Sequence, residues 1–117
     1  MEILSSRFLI HPRDLERSLA FYHDVIGLHI MREFGTGPSR GVVFFLGGGY
    51  LEITGGSADP ASDATELWLQ VRDAAEVEAT LKDAGVPIAE STTKKAWGLI
   101  ELRAHDPDGL TLSLIHI

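Results

Sequence analysis

One order of elements is written twice in this chain, and the repetition limits its possible folds more than any other feature. Arg13-Asp14 recurs as Arg72-Asp73, 59 residues later, while Gly27 recurs as Gly85 and Ile30 as Ile88, each 58 later. Both aspartates stand where a helix N-cap is needed, because a short side-chain oxygen can accept from the free amides of the first turn. After Asp14 the apolar residues Leu15, Leu19, Tyr22 and Ile26 follow a 3.6-residue stripe, and after Asp73 so do Ala74, Val77, Leu81 and Ala84. Gly27 and Gly85 close the two helices as C′ residues. A strand precedes each helix, at Ile3 to His11 (ended by Pro12) and at Glu66 to Val71. Three strands follow each. In the first half these are His29 to Phe34, Val42 to Leu46 and Tyr50 to Thr54, the last two joined at Gly47-Gly48-Gly49. In the second half Ile88 to Thr93 precedes a terminal hairpin.

That hairpin, WGLIELRAHDPDGLTLSLIHI from Trp97 to Ile117, turns at Asp106-Pro107-Asp108-Gly109. Proline fixes φ, aspartate bonds backbone amides and glycine tolerates φ > 0. Ile100, Leu102 and Ala104, then Leu110, Leu112 and Leu114, share an apolar face. The other face mixes Glu101, Arg103 and His105 with Thr111, Ser113 and Ile115, and is read either as a cavity wall or as solvent-exposed surface. The first strand alternates in the same way, with Phe8 and Ile10 opposed to Arg7, Leu9 and His11. The predicted fold is therefore α+β: two βαβββ modules in tandem, near residues 1–56 and 64–117 of a single domain, 1–117. Each is a sheet with one helix on its apolar face. The free faces, if opposed, would enclose a cavity.

The 117 residues suffice for one domain, able to bury about 65% of the surface its unfolded form exposes. A net charge of −7 argues against nucleic-acid partners and anionic membrane surfaces, and is compatible with a cationic small molecule. There is no cysteine, hence neither disulfide nor thiolate chemistry. No apolar run nears the roughly 20 residues of a membrane span, and the start, MEILSSRFLIHP, lacks the basic region of a signal peptide. A cytoplasmic location is expected. Seven arginines against three lysines, with no asparagine, suggest a GC-rich bacterial genome.

The doubled unit, with RDLERSLAFYHDVIGL in its first half and WGL…DPDGLTLSL at its end, resembles the vicinal oxygen chelate superfamily, which includes glyoxalase I, bleomycin-resistance proteins and extradiol dioxygenases. The resemblance spans essentially the whole chain, and it implies that each module is a curved mixed sheet with its helix on the convex face and a cavity on the concave face. Metal-dependent members place ligands there, on the first and last strands of each half. The positions matching them here are Arg7, Glu52, Glu66 and Ser113. Arginine stays protonated and cannot ligate a cation, and serine is a poor ligand for zinc, nickel or iron. No metal and no cofactor are expected. The five histidines (His11, His23, His29, His105 and His116) form no HxH or HxxxH spacing, and no GxSxG elbow or phosphate loop is present.

The expected binding face carries Arg7, Tyr50, Glu52, Glu66, Trp68, Trp97, Glu101, Arg103 and Ser113. Aromatic surface beside a few charged groups is how small-molecule pockets are built. Trp68 is read either as a stacking surface or as a plug between the halves or at a dimer contact. Either Phe44 or Phe45 also points into the cavity, the glycine turn leaving the register open. Two functions follow. The first is a non-catalytic binder of the bleomycin-resistance type, a homodimer sequestering an aromatic or planar natural product, with a cationic group allowed, and so conferring antibiotic resistance. The alternative is a glyoxalase- or dioxygenase-like enzyme (lyase, isomerase or ring-cleaving dioxygenase) with an atypical or absent metal site. Catalytic residues are not assigned.

Overall fold

A computed structural model describes residues 1–117, which divide into two compact units, Met1–Pro60 and Ala61–Ile117. The first unit runs β1 (Arg7–Ile10), α1 (Leu15–Ala20), β2 (Ile30–Phe34), β3 (Gly41–Leu46) and β4 (Gly49–Thr54). The second runs β5 (Glu66–Gln70), α2 (Ala74–Asp83), β6 (Ile88–Lys94), β7 (Ile100–His105) and β8 (Thr111–His116). The βαβββ order is thus written twice, as the repeat predicts. Each unit holds a four-stranded mixed sheet, ordered β1-β4-β3-β2 in the first and β5-β8-β7-β6 in the second. In both sheets the first and last strands pair in parallel and the remaining pairs are antiparallel.

The helix starts follow from their caps. Asp14 accepts from the Arg17 amide at 3.1 Å, and Asp73 from the Ala75 and Glu76 amides at 3.0 and 3.3 Å. His116 adds a contact its sequence position did not reveal: its Nδ1 accepts from the Ala74 amide at 2.8 Å, tying the end of β8 to the first turn of α2. At the other end of α2 the Val86 amide donates to Leu81 O and the Gly85 amide to Lys82 O, with Gly85 at φ +77°. This is the doubled bond of a glycine C-cap. Ala84, expected on the inward stripe, is exposed because the helix ends at Asp83 and Ala84 is already its cap.

The first helix differs more from its periodicity. Beyond Ala20 it widens into a π-helical turn over Phe21–Val25, where the Ile26 amide donates to Phe21 O at 3.0 Å and the Leu28 amide to Tyr22 O at 3.0 Å. Phe21 and Tyr22 are both buried, with their rings edge to face at 5.1 Å. Ile26, assigned by a strict 3.6-residue period to the buried stripe, is only half-buried.

Under α1, the side chains of Val42, Phe44, Leu51 and Ile53 are buried on one face of the first sheet. In the second unit Leu81 of α2 and Leu102, Ala104, Leu112 and Leu114 of β7 and β8 are equally buried. Each large side chain contributes about 1.5–3 kcal/mol of transfer free energy. The turn at 106–109 holds β7 to β8. Asp106 is 5% exposed, and its Oδ1 accepts from the Asp108 and Leu110 amides, each at 2.9 Å. No helix is long and apolar enough to cross a membrane.

Candidate functional site

Strand alternation and register fix which side chains share the helix-free face of each sheet. In the first unit Arg7 lies opposite Tyr50 and Leu9 opposite Glu52 across β1–β4, while Phe45 lies opposite Tyr50 across β3–β4. Arg7 and Glu52 are therefore diagonal neighbours on one face, within reach of a long side chain. Arg7 Nη1 donates to Glu52 Oε1 at 2.7 Å, a short charge-assisted bond. The guanidinium carbon also stands 5.9 Å from the Tyr50 ring centre, and the Phe45 and Tyr50 rings are 5.8 Å apart. Phe45, half-exposed, belongs to this face; Phe44, opposite Leu51, is buried on the helix side.

The second unit builds a similar group from different strands. Glu66 opens β5, and the Ser113 hydroxyl of β8 donates to Glu66 Oε1 at 2.7 Å. Arg103 lies opposite Ser113 across β7–β8, and its Nη2 stands 3.7 Å from the same carboxylate oxygen. Trp68 pairs in register with Ser113 from the other side and is 51% exposed. Ser113 and Ile115 are buried, so this part of the hairpin's mixed face is not solvent-exposed surface. The reason is topological: β8 is interior to its sheet, with β5 and β7 on either side.

Two expected residues stand apart from these groups. Trp97 sits in the β6–β7 turn, closed by the Lys95 amide to Leu99 O at 2.8 Å, and is 66% exposed. Glu101 shares the face and strand of Arg103 but enters no ion pair. Strand parity and nearness to the hairpin point to both residues, but neither reports side-chain reach. Three of the histidines make close polar contacts within their own unit. His11 Nδ1 lies 2.8 Å from Thr54 Oγ1, His23 Nδ1 lies 2.9 Å from Asp24 Oδ1, and His116 holds α2.

The donor chemistry at the four positions does not fit a transition metal. In the first unit a guanidinium occupies one position and is bonded to the carboxylate of the other. In the second a serine hydroxyl is bonded to the remaining carboxylate. No group of three or more His, Asp or Glu side chains is arranged to hold a metal ion. On each face an aromatic ring lies on the same side of the sheet as an arginine and a carboxylate.

The family model described as Glyoxalase/Bleomycin resistance protein/Dioxygenase superfamily matches residues 6–114. No curated protein matches significantly. Among solved structures, a member of that superfamily from Sphaerobacter thermophilus superposes with a TM-score of 0.79 at 22% identity, over 99% of this chain and 98% of the other. The fosfomycin resistance protein FosX from Listeria monocytogenes gives 0.82 at 17% identity, over 100% and 95%. A lactoylglutathione lyase from Agrobacterium tumefaciens gives 0.70 at 18%, over 94% and 90%. At these identities the likeness establishes the fold.

Proposed function

Because the chain belongs to the glyoxalase/bleomycin resistance protein/dioxygenase superfamily, we propose that it is a non-catalytic small-molecule binding protein of the bleomycin-resistance type. Its ligand is an aromatic or planar natural product, preferentially one with a cationic group, and sequestration of that ligand would confer resistance to it. The observation that carries this reading is the Arg7–Glu52 bond of 2.7 Å. It joins a cation and a carboxylate at two of the positions where catalytic relatives need metal donors, and it lies against Tyr50 and Phe45. Glu66, with Ser113, Arg103 and the exposed Trp68, supplies the corresponding stacking surface and acidic group in the second unit. The chain works in the cytoplasm, consistent with its lack of cysteine.

Leu9, Phe45 and Trp68 leave substantial apolar surface exposed on one chain, which supports assembly as a homodimer. Light scattering at micromolar concentration should return twice the 12.8 kDa of one chain; a monomer would remove that part. The binding reading is tested by metal analysis of protein purified without chelator. Zinc, nickel, iron and manganese are expected well below one equivalent. Close to one equivalent per chain, lost in Glu52→Gln or Glu66→Gln, would overturn the reading in favour of an enzyme of the same superfamily.

A further inference from the structure

The helix-free face of the second unit holds an arginine whose hydrogen-bonding capacity is unused. Arg103, Ser113 and Trp68 form one row across β7, β8 and β5. The carboxylates around Arg103 do not engage its donors. Its register partner on β6 is Glu90, whose Oε1 takes the Lys95 ammonium instead. Glu66 Oε1 accepts the Ser113 hydroxyl at 2.7 Å and stands 3.7 Å from Arg103 Nη2, which is beyond hydrogen-bond length. Glu101, two residues away on the same strand and face, makes no ion pair with it. Arg103 is therefore near Glu66 by charge alone, and its N–H donors make no hydrogen bond within the chain. Arg7 of the first unit differs, since it donates to Glu52 at 2.7 Å.

A guanidinium presents its donors as a planar fork that matches the two oxygens of a carboxylate, and the resulting bidentate pair is among the stronger hydrogen-bonded contacts. The Arg103 side chain is 46% exposed and Trp68 51%, so both are open to a ligand. Two interstrand spacings, about 10 Å, separate their backbones, a span that a ring stacked on the indole and the long arginine stem close together. Glu66 lies two residues along β5 from Trp68, about 7 Å away on the same face, and its Oε2 has no partner in the chain. A ring face, a negative acceptor and a positive fork thus lie side by side. A ligand carrying only a cation would meet the guanidinium unopposed. A ligand with both charges uses all these groups, and it escapes the repulsion that a net charge of −7 imposes on an anion.

We propose that Arg103 sets the specificity of this face by binding a carboxylate on the ligand. The ligand class is then a zwitterionic planar aromatic compound, with its ring on Trp68, its cationic group at Glu66 and its carboxylate in the Arg103 fork. This rests on the binding function proposed above and adds the anionic half of the ligand.

The test uses two fluorescent xanthene dyes that differ at one group: rhodamine 110, a planar cation with a free carboxylate, and rhodamine 123, its methyl ester. Fluorescence anisotropy follows each dye as wild-type, Arg103→Gln or Arg103→Lys protein is added. Wild type should bind rhodamine 110 about tenfold more tightly than the ester. Arg103→Gln should bring the two affinities within about twofold of each other. Arg103→Lys, which keeps the charge without the fork, should retain a preference of about threefold. Because Arg103 makes no hydrogen bond within the chain, both variants should unfold at the wild-type urea midpoint. Equal wild-type affinities for the two dyes would overturn the role of Arg103 and leave the binding function standing, as would a tenfold preference that survives Arg103→Gln. Failure of both dyes to bind the wild-type protein would overturn the binding function and this proposal with it.

Discussion

Replacing Asp106 by alanine should be among the most destabilising single changes to a charged residue in this chain. Its Oδ1 accepts two backbone amides, Asp108 and Leu110, each at 2.9 Å, and the residue is 5% exposed. Removing the carboxylate leaves both donors without that acceptor in a site water barely reaches. A hydrogen bond to a charged group is worth about 1.5–3 kcal/mol, and an orphaned buried donor costs about 1–3 kcal/mol. The two bonds share one oxygen and are not additive, so the loss is put at about 3 kcal/mol. With about 2.1 cal/mol/K of unfolding entropy per residue over 117 residues, that lowers Tm by about 12 °C. Asp106→Asn keeps a carbonyl acceptor at the same place and should lose only about 1 kcal/mol. Urea denaturation followed by circular dichroism measures both. The turn also sets the β7–β8 register that places Arg103 opposite Ser113, so the alanine variant should weaken ligand binding at Glu66 as well. An Asp106→Ala protein within 0.5 kcal/mol of wild type would refute the reasoning.

Ser18 is buried in α1 and its hydroxyl has no hydrogen-bond partner, so Ser18→Ala should stabilise the fold by about 1 kcal/mol, read as a higher urea midpoint; a loss of stability would count against this. Glu78 Oε1 accepts the Thr92 amide at 2.5 Å and pairs with Lys82, and these contacts, the Thr92 amide first, lower its pKa from 4.5 to about 2. A depressed folded-state pKa gives stability that is full above about 4.5 and lost as pH falls toward about 2. Glu78→Gln should therefore flatten the acid limb of a stability–pH curve across that window, and an unchanged slope would argue otherwise. Arg7→Ala should cost about 1 kcal/mol, well short of the 3–5 typical of a fully buried pair, because the Arg7 side chain is 38% exposed. Chemical denaturation giving 3 kcal/mol or more would contradict that.

The fold was legible because its signals are local and repeated. Asp14 and Asp73 cap helices wherever an unpaired first turn needs an acceptor, and the DPDG turn specifies its own hairpin. Alternation in β1, β4, β5 and β8 is enough, without the strand register, to assign Arg7, Glu52, Glu66 and Ser113 to helix-free faces. What escaped depended on register or on tertiary packing. Phe44 and Phe45 are interchangeable until the Gly47-Gly48 turn is counted, and only the Phe45–Tyr50 pairing separates them. The π-helical turn of α1, which carries the buried rings of Phe21 and Tyr22, is not encoded in a 3.6-residue period. His116 lies on the apolar parity of β8, but its Nδ1 serves an amide at the start of α2, 42 residues earlier in the chain. Ser113 and Ile115 follow the polar parity of an interior strand, where parity alone does not separate buried from exposed.

The most direct test of the binding account is a fluorescence titration with a planar aromatic cation, proflavine, and its uncharged relative acridine, on wild type, Glu66→Gln and Trp68→Ala. The account predicts saturable quenching of tryptophan emission by both compounds with no chemical change in either. Glu66→Gln should weaken proflavine about tenfold, or about 1.4 kcal/mol, and acridine less than twofold. Trp68→Ala should weaken both, since each stacks on the exposed indole. Equal losses for the two compounds in Glu66→Gln, or no saturable binding to the wild-type protein, would contradict the account.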